Sequence, residues 1–243
     1  MPGTDIKIPS PEGSFDCYLA TPEAGTGPGL VLVSTIFGVD QDLRTMCDNL
    51  AAQGYVAMGP DFFWRGDKGP MPRTEEGIRR AENRAKPRQP LLESGTRDLE
   101  AVLGVLRRHP QCSGRTAVIG LCFGAPFAII GPSRFGCDAG VSFHGSYLQN
   151  YLDEIARLTC PLSIHWGDLD YSAPPEVVEQ VRKATANNPN AEIFIYPGIK
   201  HGYMSPTQWK SHVPEVAELT WRRAMKMLDR LKGPREAPAR RAS

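Results

Sequence analysis

Short, continuous apolar runs recur along the chain, and amphipathic stretches separate them. The runs are rich in β-branched residues and too short for buried helices, so each predicts a strand that is covered on both faces. They occupy residues 29–35, 55–61, 116–121, 138–145, 160–167 and 191–198.

Between the runs, apolar positions repeat at the spacing of an amphipathic helix. Such stretches cover residues 43–54, 93–110, 124–130, 174–188 and 213–233. Strands that alternate with helices predict an α/β fold, with a mostly parallel central sheet and helices on both faces. We expect a single domain over residues 1–232 and a disordered tail over 233–243.

Residues 62–90 interrupt this alternation with a stretch rich in charge, proline and glycine. It is too polar for a central layer, so we expect an excursion over the surface that could serve as a lid. Its arginines are candidates to meet an anionic group, although a solvated face of basic and acidic residues explains most of them better. They are Arg65, Arg73, Arg79, Arg80, Arg84 and Arg88.

Composition and charge limit the classes of partner that the chain could bind. The chain has 243 residues, 28 basic and 27 acidic, so no global charge attracts nucleic acid or an acidic membrane, and we expect a small-molecule partner. The N-terminal residues lack a signal-peptide pattern and no apolar run could span a bilayer, which predicts a cytoplasmic protein. Six scattered cysteines show neither a disulfide framework nor zinc-ligand spacing, and we expect no metal or cofactor. The sequence does not indicate an oligomeric state.

One cysteine differs from the others in its setting. Cys122 stands between Gly120 and Gly124, where a predicted strand turns into a predicted helix. This is the pattern of a nucleophile elbow with sulfur in place of oxygen, because the small residues allow a tight turn that projects the nucleophile. A helix start also favours the thiolate. The other five cysteines are expected to be buried packing residues.

A base and an acid follow in the expected order. His201 lies after the last predicted strand, where this arrangement puts the base, while His109 and His212 fit solvated helix ends and His165 a buried strand. For the acid, Asp168 and Asp170 both follow the strand before it, and spacing alone does not choose between them.

These segments together resemble the dienelactone hydrolase family. The resemblance covers about residues 5–232 and rests on "GLCFGA", on "LVLVSTIFGVD" with "LAAQGYVAMGPDFF", on "GDLDYSAP" and on "KHGY". It implies an α/β-hydrolase fold and a Cys-His-Asp triad that opens lactones or enol esters without a cofactor. Matched by position, it favours Asp170 over Asp168.

The resemblance also implies how the site works. Cys122 attacks the carbonyl carbon, His201 handles the proton, Asp170 orients the imidazole, and an acyl-thioester forms and is hydrolysed. The backbone N–H groups of Phe123 and Ile36 are expected to form the oxyanion hole. Residues near the predicted strand ends are candidates for the substrate pocket. They are Thr35, Phe37, Phe143, His144 and Tyr203.

Two positions depart from the family pattern. The family carries a glutamate immediately before its Ile-Phe-Gly segment and a substrate-binding arginine shortly after the histidine. Here those positions hold Thr35 and Ser205. The double change predicts a different substrate or a different activation of the thiol.

Other functions therefore stay open beside a lactone or enol-ester hydrolase. They are a carboxylesterase or thioesterase acting on other substrates, a catalytically silent binding protein on the same fold, and a thiol redox sensor that uses Cys122. A complete triad in the right order argues against the silent protein. A redox sensor would need a resolving cysteine near Cys122.

Overall fold

The predicted strands lie side by side in one eight-stranded sheet. The computed structural model describes residues 2–207 and 210–233, and the strand order is β1-β2-β4-β3-β5-β6-β7-β8. The strands are β1 (Thr4–Ser10), β2 (Gly13–Ala20), β3 (Gly27–Val33), β4 (Val56–Pro60), β5 (Cys112–Leu121), β6 (Ala139–Phe143), β7 (Leu162–Gly167) and β8 (Ala191–Tyr196).

The sheet is parallel from β4 to β8, as the alternating pattern predicts. The hairpin of β1 and β2 joins antiparallel at one edge, and the apolar runs did not predict it. Its first strand is largely exposed, so it carries no continuous apolar run. A mostly parallel sheet with helices on both faces confirms the predicted α/β-hydrolase fold.

Helices cover both faces of this sheet. α1 and α7 pack on one face, where they meet residues such as Leu30 and Leu32 of β3. α3 and α4 pack on the other face against Val31 and Val33 of the same strand, and α5 and α6 extend that layer over β7. The helices are α1 (Gln41–Ala52), α2 (Glu75–Ala85), α3 (Arg88–Arg108), α4 (Phe127–Phe135), α5 (Leu152–Arg157), α6 (Pro175–Thr185) and α7 (Pro214–Leu228).

Burial on both faces explains the near-continuous apolar runs. All seven residues of β3 and all five of β6 are buried, with successive side chains entering opposite core layers. Among the described residues, no helix combines the length and the apolar character needed to cross a bilayer.

The polar excursion is ordered and tied to the body of the protein. It contains α2, and α3 begins at Arg88, five residues before the predicted start. Buried Asp98 of α3 accepts hydrogen bonds from the Arg65 guanidinium (2.6 and 3.0 Å) and from the Trp64 indole N–H (3.0 Å). Trp64 and Arg65 are therefore anchored to α3, although many other residues of the stretch are exposed. The predicted tail, residues 233–243, lies outside the described residues beyond Gly233.

The carboxyl ends of the parallel strands gather the predicted site residues at one edge. Thr35 follows β3, Cys122 follows β5, His144 follows β6, Asp170 follows β7 and His201 follows β8. In open α/β sheets this edge is where ligands bind. The fold thus brings together residues that are distant in sequence.

A close approach between α4 and β6 fixes the helix that follows Cys122. A Cβ atom at Gly140 would lie 2.1 Å from the carbonyl oxygen of Ala128. We predict that Gly140→Ala lowers the free energy of unfolding by about 1–3 kcal/mol, measured by urea denaturation, because backbone must move to admit the methyl group.

Gly104→Ala provides the matched control. Gly104 lies inside α3, and its added Cβ would meet only the Arg108 guanidinium, 3.6 Å away. The substitution is expected to raise stability by about 0.5–1 kcal/mol, because alanine favours helix. Equal effects of the two changes would show that the α4–β6 approach is not a constraint.

Candidate active site

The loop after β5 has the geometry of a nucleophile elbow. Cys122 adopts φ of 52°, a left-handed conformation that non-glycine residues rarely take, and begins a short 3₁₀ turn over Cys122–Gly124. A Cβ at Gly120 would lie 2.2 Å from the carbonyl oxygen of Gly124, and a Cβ at Gly124 would lie 2.3 Å from that of Val33. Only glycine fits at these two positions, as the sequence pattern predicts.

The structure brings Cys122, His201 and Asp170 into one chain of hydrogen bonds. The Cys122 Sγ lies 3.0 Å from His201 Nε2, although the residues are 79 positions apart. His201 Nδ1 lies 2.9 and 3.0 Å from the two carboxylate oxygens of Asp170. This is the relation of nucleophile, base and orienting acid.

The alternative acid, Asp168, points elsewhere. Its Oδ1 accepts a hydrogen bond from the backbone N–H of Gly198 (2.7 Å) on the exposed side of the loop. Asp170 is buried, and it also accepts bonds from the backbone N–H and the hydroxyl of Ser172 (2.8 and 2.7 Å). Ser172 therefore helps to hold the carboxylate against His201.

Opposed charges set the protonation of the Cys122–His201 pair. Burial raises the pKa of the Cys122 thiol, but the charge and hydrogen bond of His201 and those of His144 outweigh burial and lower the pKa to about 5. Burial lowers the pKa of His201, and the Cys122 charge with the Asp170 hydrogen bond raises it to about 10. The resting pair is thus a thiolate and an imidazolium.

The other cysteines have the opposite chemistry. Burial raises the pKa of the thiols of Cys17, Cys47, Cys137 and Cys160. All six cysteines are free thiols, and Cys112 is half-buried. The Cys122 thiol differs from these four thiols because its pKa is lowered, which favours the thiolate, the form that attacks.

The loop after β3 lies against the elbow and carries Ile36. A Cβ at Gly124 would lie 2.9 Å from the carbonyl oxygen of Ser34, so the two backbone segments touch. On its other side, the carbonyl of Ile36 accepts a 2.9 Å hydrogen bond from the Nε of buried Arg84. This contact holds the peptide unit that follows Ile36, on the other side of the Ile36 Cα from the expected donor N–H. Phe123 follows Cys122 directly in the elbow.

The five candidate pocket residues lie behind the cavity wall. Thr35 Oγ1 accepts a hydrogen bond from the Phe37 N–H (3.1 Å), and Phe37 packs under Arg73 and Met71. Phe143 packs against His165 and Trp221 in the core.

The other two candidate pocket residues, Tyr203 and His144, are also fully buried. Tyr203 is fully buried, and its hydroxyl lies 3.1 Å from the Thr220 hydroxyl. His144 is fully buried beside the triad, with its ring edge-on to His201 at a centroid distance of 4.9 Å. Its nearest ring nitrogen, the Cys122 Sγ and the nearest ring nitrogen of His201 all lie within 4.8 Å of one another, a set that could ligate a metal ion.

A cavity of about 630 Å³ opens in front of Cys122, between the end of α2 and the start of α6. Sequence reasoning missed most of its wall, because these residues sit in turns and helix ends that show no motif. The lining residues besides Cys122 are Ile36, Glu82, Ala85, Lys86, Arg88, Ser146, Tyr147, Gln149, Tyr171, Ser172, Pro174, Glu176 and Val177.

Arg88 is the arginine of the excursion that faces this cavity. Its guanidinium carbon lies 3.3 Å from the ring centroid of Tyr147, and its Nη1 is buried without a hydrogen-bond partner. Burial lowers its pKa, while nearby Tyr147 and Cys122 raise it. Arg65, Arg73 and Arg80 are instead paired with carboxylates, and Arg84 with backbone carbonyls.

Known proteins of similar sequence and fold share this architecture. A protein of Azospirillum brasilense named "Putative carboxymethylenebutenolidase" is 35% identical over 89% of this chain and 94% of its own length. The carboxymethylenebutenolidase of Pseudomonas sp. (strain P51) is 27% identical over 90% and 92%.

Among solved structures, the dienelactone hydrolase-like promiscuous phosphotriesterase P91 from metagenomic libraries shares the fold. Its TM-score is 0.79 at 18% identity, over 95% of this chain and 98% of that one. The sequence model described as "Dienelactone hydrolase family" matches residues 15–232, which span nearly the whole described fold. With the fold, the elbow and these relatives in agreement, the chain belongs to the dienelactone hydrolase family.

Proposed function

We propose that the chain is a cofactor-independent hydrolase of lactone or enol-ester substrates, with Cys122 as nucleophile, His201 as base and acid, and Asp170 as the orienting carboxylate. The observation that carries the proposal is the 3.0 Å contact between Cys122 Sγ and His201 Nε2 at the mouth of the cavity. It supports proton transfer between the two groups without further movement.

The reaction follows from the resting charges. The Cys122 thiolate attacks the carbonyl carbon, a C–S bond forms, and the carbonyl electrons move to oxygen. When this intermediate collapses, the ring C–O bond breaks and His201 gives its Nε2 proton to the leaving oxygen. Water then attacks the thioester, His201 takes a proton from that water, and the C–S bond breaks to restore the thiolate.

The charge that develops on the carbonyl oxygen needs preorganised donors. The backbone N–H groups of Phe123 and Ile36 fit this role, since the elbow and the loop after β3 touch at Gly124. Arg84 holds the neighbouring peptide unit through the Ile36 carbonyl and so restrains the loop that carries the second donor. A single donor of this kind contributes about 10²–10³-fold to kcat.

Carboxylesterase or thioesterase activity on other acyl substrates is the second candidate. It is favoured by Thr35 and Ser205, which stand where the family pattern has a glutamate and an arginine. The Thr35 hydroxyl accepts a hydrogen bond from the backbone N–H of Phe37, so it is engaged by its own loop. A panel of lactones, p-nitrophenyl esters and acyl thioesters distinguishes the two.

The two aspartates give the sharpest test of the triad. Asp170→Asn should lower kcat by about 10⁴-fold, as the analogous change does in the serine-protease triad, because the imidazole loses its orienting charge. Asp168→Asn removes only a surface loop contact and should change kcat less than about threefold. Steady-state kinetics on the best substrate of the panel measures both.

Cys122→Ala and Cys112→Ala serve as the matched nucleophile and control. Mass spectrometry of the quenched wild-type enzyme should find the acyl group on Cys122, and only Cys122→Ala should abolish both the adduct and turnover. The assignment would be contradicted if Cys122 stayed unmodified during turnover. It would also be contradicted if Asp168→Asn lowered kcat more than Asp170→Asn does.

The thiolate predicts reactivity at acidic pH. Because the pKa of Cys122 is lowered to about 5, iodoacetamide should inactivate the enzyme at a nearly constant rate from pH 8 down to about pH 6 and more slowly below. The rate for an ordinary thiol, with a pKa of about 8.5, would already fall about 75-fold over that range. Stopped assays of residual activity at each pH measure the profile, and a steep fall above pH 7 would refute the resting thiolate.

Arg88 predicts where a substrate charge binds. Arg88→Gln should raise KM about tenfold for a lactone that carries a carboxylate, because the carboxylate can no longer pair with the Arg88 Nη1. The KM for the matched neutral lactone should stay unchanged. Arg79→Gln, in the outer part of α2, is the control. Equal effects of Arg88→Gln on both substrates would remove this role.

A further inference from the structure

His144 is a buried imidazole that faces the nucleophile. Its side chain is 0% exposed, and apart from its interaction with Cys122 neither ring nitrogen has a hydrogen-bond partner among the described residues. The groups that face it are Cys122 from the elbow, His201 and Tyr203 from the loop after β8, and Asp170 from the loop after β7. Its backbone has φ of 39°, so the chain is held in a strained conformation at this point.

A neutral imidazole has one N–H donor and one nitrogen with a free lone pair. A buried polar atom without a partner costs about 1–3 kcal/mol, so a native site normally supplies one. Water is a poor candidate, because the ring is fully buried. A divalent metal ion is smaller than a water molecule and takes the lone-pair nitrogen as a ligand.

The surrounding atoms form a ligand set. One ring nitrogen of His144, one of His201 and the Cys122 Sγ lie within 4.8 Å of one another, and the sulfur lies 3.0 Å from His201 Nε2. Zinc bonds of about 2.3 Å to sulfur and about 2.0–2.1 Å to nitrogen require tetrahedral donors about 3.3–3.6 Å apart. The observed distances bracket that value, so side-chain shifts of less than about 1 Å would complete the site.

The hydrogen-bond partner behind His201 and the opening of the cavity at Cys122 both suit a zinc ion. A metal-bound histidine typically donates its other ring N–H to a carboxylate, and His201 Nδ1 lies 2.9 Å from Asp170, which Ser172 also holds. Cys122 lines the cavity of about 630 Å³, which provides entry and leaves a fourth position open to solvent or an anion. Thiolate and imidazole are both established zinc ligands.

We propose that Cys122, His144 and His201 form a binding site for one Zn²⁺ ion that reversibly blocks the nucleophile. The ion takes the thiolate and two neutral imidazoles as ligands, and the proton that Cys122 and His201 share is released to solvent. Metal binding does not depend on the proposed hydrolase function, whereas inhibition of turnover does. The site distinguishes His144 from a passive packing residue.

Calorimetric titration of the metal-free full chain with Zn²⁺ alone tests the binding. We expect one ion per chain for the wild type and for His109→Gln, a surface histidine control. Loss of a partner behind a ligand already weakens metal affinity by about 10–100-fold, so His144→Phe should weaken it by at least about 100-fold. Equal Zn²⁺ affinity in His144→Phe and wild type would overturn the proposal, as would no binding to the wild type at 1 mM.

Measurements on the wild type remain decisive if His144→Phe does not fold. X-ray absorption of the Zn²⁺ complex should give one sulfur and two imidazole ligands, and Zn²⁺ should protect Cys122 from iodoacetamide while Cys112 still reacts. A first shell with one imidazole would overturn the three-ligand site. Turnover of the substrate panel, measured in EDTA, tests the hydrolase function separately. If no substrate is turned over, the hydrolase function is refuted and the metal site is not.

Discussion

The contact between the backbone at Gly124 and the carbonyl of Val33 is the constraint on which the site depends. Because these segments touch without side chains between them, the elbow is pressed against the loop after β3, and Cys122 is held at a positive φ with its sulfur outside the turn. The same contact brings two backbone segments to the position where charge would develop on a substrate. Geometry at the site is thus set by backbone packing, which is hard to deform.

The charges of Cys122, His201 and Asp170 are the second constraint on the site. Burial alone would keep the Cys122 thiol and the His201 imidazole neutral, yet each raises the cost of neutrality for the other, and Asp170 adds to the effect. Removing any one member changes the protonation of the others. Energies assigned to single residues of such a unit are therefore not additive.

The sequence was informative where a pattern reports directly on backbone or burial. Continuous apolar runs mark strands covered on both faces, and glycines flanking Cys122 mark the elbow, so the sheet and the candidates Cys122 and His201 could be predicted from pattern. The choice of Asp170 over Asp168 came from the family resemblance. The β1–β2 hairpin carries no such run because its outer strand faces solvent. Tyr147 and Ser172 were not predicted, and Arg88 could not be distinguished from the other arginines of the excursion, because their positions depend on how separate loops pack, which no local pattern encodes.

Arg84 of α2 connects the wall of the cavity to the loop after β3, beside Cys122. Its guanidinium donates to the carbonyls of Ile36, Asp67 and Gly69, so α2 and the loop after β3 are joined by one buried cation without a carboxylate partner. The wall of the cavity formed by the end of α2 therefore cannot swing outward without pulling the Ile36 peptide from its position. Adjustment to substrates of different size falls to the opposite wall, at Tyr171 and the start of α6, where the Tyr171 side chain is 79% exposed.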